Sequence, residues 1–135
     1  SPSNVNSEEV KNVYNLSSTL QNVHQGTKDD GKYHLDGTLL IKNNGTLPVE
    51  DKYLCYSICP RSKDGKVGPN CITGSGGNLD RLEPGQELSK RLALISFGND
   101  VSGLYLKLTV QLRDLPKKRE LFIEAHDLGE VTAYK

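Results

Sequence analysis

Three cysteines, three histidines, a cluster of glycines and a few acidic pairs are the side chains with which this chain of 135 residues could do chemistry. Cys55, Cys59 and Cys71 fall within one short stretch. A cysteine nucleophile needs a histidine brought beside it, and no spacing here provides one. The local signatures of cysteine proteases are also missing. A Cys59–Cys71 bridge would instead close a loop of about a dozen residues, worth ~3 kcal/mol in lost loop entropy. Pro60, Gly65, Gly68, Pro69 and Asn70 lie between the two and mark that stretch as a loop. Cys55 is then either a buried, inert thiol or an intermolecular linker. Disulfides persist in oxidising compartments, so an extracytoplasmic address is expected, with three reduced cytosolic thiols as the alternative.

The other candidates are weaker. His24, His34 and His126 form no His-x-His or His-x3-His pair, so only the fold could assemble a metal site from them. Asp29–Asp30, Glu50–Asp51 and Asn99–Asp100 are oxygen-rich pairs, but calcium takes about six to eight oxygens and no Asp-x-Asp-x-Asn/Asp run is present. Gly74, Gly76 and Gly77 lack the lysine and the following helix of a phosphate-binding loop, which leaves a flexible hairpin loop as the expectation. Lys117-Lys118-Arg119 reads as a solvated turn. No catalytic constellation, metal or cofactor is therefore expected.

Composition narrows the partners. Lys plus Arg number 17 and Asp plus Glu number 17, so no field of one sign exists to hold nucleic acid or an anionic membrane surface. No apolar run approaches the ~20 residues of a membrane helix, and Leu92-Ala93-Leu94-Ile95 is strand-sized. Methionine is absent even from position 1, which is read as a chain that starts inside a longer precursor. Asn15-Leu16-Ser17 and Asn44-Gly45-Thr46 are glycosylation sequons, with Asn44 in an accessible turn.

The elements that must position these groups are strands. Residues 1–8 carry little apolar weight and read as a loose arm, with one domain over 9–135. Over 10–23 two readings stay open. Val10, Val13, Leu16, Leu20 and Val23 have the spacing of a short helix, while Leu20–Val23 also suits a first edge strand. From residue 33 the alternation is clean: Tyr33, Leu35, Gly37, Leu39 and Ile41 share one face. Asn43-Asn44-Gly45 turns the chain, and a second strand over 51–58 ends at Pro60, which cannot donate to a ladder. Leu88, Leu92 and Leu94 mark another strand after the Pro84-Gly85 turn. Leu104, Leu106, Leu108, Val110 and Leu112 form the strongest pattern, and a last strand over 120–125 turns Leu121, Ile123 and Ala125 inward. Leu128, Val131 and Tyr134 suit a final edge strand. The sum is an all-β, immunoglobulin-like antiparallel sandwich of two sheets and about seven strands.

The run from Gly37 to Thr46, the Leu82-Glu83-Pro84-Gly85 turn and the Gly103-Leu104-Tyr105-Leu106 start of a strand resemble the immunoglobulin-like modules of the CARDB type. That resemblance covers about residues 33–125 and implies a binding or spacer module without catalysis; the cysteine-bearing loop departs from it. A fainter likeness to the secreted lipid-recognition domains of the ML family implies a carrier of an apolar ligand, but those domains place cysteines near both ends. The expected function is a secreted or surface-associated sandwich that binds a protein partner through end loops. Tyr53, Tyr56, Asn70 and Ile72 are the candidate contact residues. The alternative is a small apolar ligand held between the sheets against Leu104, Leu106 and Leu108.

Overall fold

The computed structural model describes residues 12–66, 71–95 and 101–135; the arm over 1–8 and Asn70 lie outside them. Seven strands follow one another: β1 (Leu16–Thr27), β2 (Tyr33–Asn43), β3 (Val49–Arg61), β4 (Ile72–Leu82), β5 (Glu87–Ile95), β6 (Tyr105–Asp114) and β7 (Arg119–Glu130). They form two antiparallel sheets, β1-β2-β5 and β4-β3-β6-β7. This is an immunoglobulin-like sandwich. Its fourth strand pairs with the third, where constant-type immunoglobulin domains place it in the other sheet, with the first, second and fifth.

Period-2 alternation carries the core. Tyr33, Leu35, Leu39 and Ile41 of β2 face Leu54 and Ile58 of β3 and Leu106, Leu108, Val110 and Leu112 of β6 in one buried cluster. Over 16–27 the chain is the edge strand β1, and no helix occurs among the described residues. Tertiary pairing with β2 overrides the weak helical spacing.

Three local expectations change. Pro60 does not end its strand: it is buried within β3 opposite Leu106. The ladder to β4 stops at Ile58↔Ile72, so the missing N–H falls where β3 has no β4 neighbour. The glycines over 74–77 are not a loop but part of β4. A Cβ on Gly74 would meet the Tyr56 ring, with Cζ 2.9 Å away, and one on Gly76 would lie 2.5 Å from Leu54 Cδ2. Only glycine lets these two core side chains lean over the strand. We therefore expect Gly74→Ala to lower stability by about 1–3 kcal/mol through overpacking, read as a shifted urea midpoint. A cost near zero would mean that the Tyr56 ring moves freely.

The third change is in β7. Ile123 and Ala125 face outward, and Glu124 and His126 face inward opposite Val110 and Leu108. An irregularity between Leu112 and Arg113 leaves Leu121 as the extra residue on β7, where Leu121 and Phe122 are both buried. One added residue moves every later side chain to the other face.

The flank formed by β1 and β7 is sealed by polar contacts. Tyr33, 1% exposed, donates its hydroxyl to Gln25 Oε1 at 2.5 Å, and the Gln25 amide donates to Leu128 O. The C-terminal tail continues the seal, with Thr27 N–H donating to Thr132 O at 2.9 Å and Tyr134 N–H to Thr27 O at 3.1 Å. Burial pushes the Tyr33 phenol well above its ordinary value. A group with a raised folded pKa supports the fold below its unfolded pKa and loses that support as pH rises. Stability should thus hold up to about pH 10 and then fall by up to roughly tenfold in the folding constant per pH unit. Tyr33→Phe should flatten that loss in alkaline denaturation curves; an unchanged slope would assign it to other groups.

Candidate functional site

The outer face of the four-stranded sheet is the candidate site. Side chains that alternate away from the core line up across all four strands in two rows, Ser75–Cys55–Gln111–Ile123 and Thr73–Ser57–Thr109–Ala125. Neither row contains a charge, although a quarter of the chain is charged. Charges return on both sides, with Lys107 and Asp127 beyond Cys59, and Arg113 and Glu120 beside Tyr53. Most of these side chains are short, so the surface is flat, and Ile123 remains 42% exposed on it. At ordinary strand spacing the neutral area is on the order of 250 Å². A stable protein contact takes about 800 Å² per partner, so such a contact would extend beyond the rows.

The rim supplies the extension. Tyr53 stands on this outer face, its hydroxyl hydrogen-bonded to Ser75 Oγ across to β4. Tyr56, three residues on, turns into the core at 8% exposure and lies over Gly74. Cys59 and Cys71 form the expected disulfide, which ties the β3 end to the start of β4. Ile72, the next residue, is half-buried on the core side of β4 opposite Ile58.

Cys55 lies in the middle of the face, its thiol donating to Gln111 Oε1 at 3.5 Å. Burial pushes this thiol up from its ordinary pKa, with a smaller opposing pull from Arg113. A thiol held protonated is a poor nucleophile.

The remaining candidates disperse. His34 pairs with Asp30 at 2.8 Å, and His24 Nδ1 meets Lys135 O at 3.0 Å. Among the described residues no three metal-ligating side chains gather. Glu50 pairs with Arg81, which also meets Glu83 at 2.5 Å, and Asn99–Asp100 lies outside the described residues. The sequon residues Asn15 and Asn44 are exposed neighbours, with Asn44 N–H donating to Asn15 O at 3.0 Å and its amide to Ser17 Oγ at 2.9 Å. They sit where β1 begins and β2 ends, at the opposite end of the sandwich from the disulfide.

One cluster had no signal in the sequence. Ser18 Oγ lies 2.7 Å from His126 Nε2, and Glu124 Oε1 accepts from both the Ser18 hydroxyl and its N–H, the latter at 3.0 Å. Ser18 lies more than a hundred positions from both. A serine–histidine–acid relay sets the carboxylate on the ring nitrogen away from the serine. Here Glu124 lies 3.5 Å from the same Nε2 that faces Ser18. With its hydroxyl hydrogen given to Glu124, Ser18 accepts from the ring, and the cluster ties β1 to β7.

No protein-family model and no curated protein matches the chain. Among solved structures it is similar to a Northeast Structural Genomics Consortium target, SoR45, at 14% identity over 90% of this chain and 89% of that one, TM-score 0.53. It is also similar to a Bordetella pertussis structural-genomics target described as ApaA, at 13% identity over 92% and 97% of the two chains, TM-score 0.46. At this identity the first likeness shows the two-sheet fold and nothing finer, and the second carries no further argument.

Proposed function

We propose that this chain is a non-catalytic, extracytoplasmic binding module whose outer four-stranded face meets a protein partner. The observation that supports it most is the pair of charge-free rows crossing all four strands, framed by Lys107, Asp127, Arg113 and Glu120. Interface centres lose charge while their rims keep it, and flat, short-chained faces suit a protein surface. The disulfide agrees with an oxidising compartment. Glycans on Asn15 and Asn44 would leave the disulfide end of the face clear.

A carrier of apolar ligands has less support. Leu106 and Leu108 are 2% and 0% exposed, and a ligand-sized space beside them would leave surface that a water-sized sphere could touch. The groove between the β1 and β7 flanks, about 400 Å³, joins Leu20, Val23 and Leu128 to Asp127, Glu130 and Lys135, a charged lining for an apolar guest.

Photo-cross-linking in the native host tests the proposal. A benzophenone amino acid replaces Thr109 at the centre of the face, and in a second protein replaces Lys42 on the outer face of the other sheet. Protein adducts from position 109 alone are expected. Equal adducts from both positions, or none from 109, would overturn it.

A further inference from the structure

The sandwich has four edge strands, and three are guarded. The backbone edge of β1 is occupied: Glu124 accepts from Ser18 N–H at 3.0 Å, and the C-terminal tail bonds Gln25 and Thr27. On β7, Glu124 and His126 point inward, and on β5 Lys90 does so opposite Leu39. A charge facing inward at an edge penalises any strand added beside it, because the addition would bury it.

The fourth edge, β4, has neither a covering tail nor an inward charge, and its one irregularity is a bulge that leaves Gly76 as an extra residue between Ser75 and Gly77. Ile72 to Leu79 contains no charged residue and no proline. Among the described residues, no backbone hydrogen bond reaches the outer side of β4. Its inward positions include Ile72, Gly74 and Leu79, with the Tyr56 ring lying over Gly74 and Leu54 over Gly76 from β3. A strand laid along this edge would set its side chains beside Gly74 and Gly76, against the Tyr56 ring and Leu54.

We infer that β4 is a strand-addition site that takes an extended, uncharged segment of a protein partner. The inference rests on the proposed protein-binding role and states how the partner engages. Thr73 and Ser75 end the two neutral rows, so an added strand lengthens both rows by one residue and widens the face toward the area a stable contact needs. The neutral edge selects a neutral segment, and the Tyr56 ring and Leu54 select larger apolar side chains at alternate positions. A second copy of β4 would set glycine against glycine and put no side chain against the Tyr56 ring and Leu54, which argues for a different chain as the occupant.

The test uses the oxidised full chain and, as probe, an acetylated and amidated nonapeptide with alternating threonine and valine between terminal lysines. Amide spectra and hydrogen exchange are followed to millimolar peptide. Shifts confined to Ile72–Asn78 and the Tyr56 ring are expected, with exchange slowed roughly tenfold at alternate β4 amides. A peptide N-methylated at every second residue should give no response. Shifts along Glu87–Ile95 or Leu16–Thr27, an equal response to the methylated peptide, or no response would overturn the inference. Adducts at position 109 without a peptide response would remove strand addition and leave the protein-binding face standing; loss of both would remove both.

Discussion

Replacing Asn43 with alanine is expected to cost about 3 kcal/mol, taking three side-chain hydrogen bonds at about 1 kcal/mol each. Asn43 ends β2 fully buried at 0% exposure. Its amide donates to Leu47 O at 2.8 Å and Leu82 O at 3.1 Å, and its Oδ1 accepts from Gly45 N–H at 3.0 Å. The backbone takes part as well, with Asn43 N–H donating to Gln86 O at 3.0 Å and Gly85 N–H donating to Asn43 O at 2.7 Å. One residue thus holds the β2–β3 turn against the β4–β5 turn, joining the two sheets at one end. The measurement is a urea titration, with a lower midpoint and an unchanged slope. Asn43→Asp should cost at least as much near neutral pH, because a carboxylate would then face two carbonyl oxygens. Such a buried carboxyl has a raised pKa, so the Asp variant should recover stability as pH falls. A loss below about 1 kcal/mol for Asn43→Ala would mean that water replaces all three bonds.

The second large effect is loss of the disulfide. Replacing Cys59 and Cys71 together with serine should cost about 3 kcal/mol, the loop entropy released to the unfolded chain. Because the bridge acts largely on the unfolded state, the urea slope should rise as that state expands. The folded protein should loosen locally. β3 and β4 stop pairing at Ile58↔Ile72, one residue short of the bridge, so hydrogen exchange at Ile72 to Ser75 should quicken first. The double variant leaves Cys55 as the only thiol, which excludes disulfide exchange from the comparison. An unchanged midpoint with unchanged exchange would show that the ladder alone holds the hairpin.

Much of the architecture was legible residue by residue. Tyr33 to Ile41 and Leu104 to Leu112 alternate because a strand turns successive side chains to opposite faces, and the same residues fill the core. Cys59 and Cys71 were legible as a pair from the turn residues between them. The candidate face was only half visible. Three positions apart on one strand, Tyr53 and Tyr56 stand on opposite faces, but only the packing of Tyr56 over Gly74 shows which one lies inside. Asn43 reads locally as a turn residue; its burial depends on Leu82, 39 positions away.

Although β4 reads locally as a loop, the sequence by itself determined the all-β class, the faces of the clean alternators β2 and β6, and the bridged cysteines. These follow from dihedral preferences and side-chain periodicity, which act over a few residues. Only the tertiary structure decided the bulge at Leu121, the inward turn of Glu124 and His126 toward Ser18, and the place of β4 at a sheet edge. Those features depend on the register that paired strands adopt and on which strand or side chain arrives from elsewhere in the chain, for Ser18 from more than a hundred residues away, and no local preference encodes that arrival.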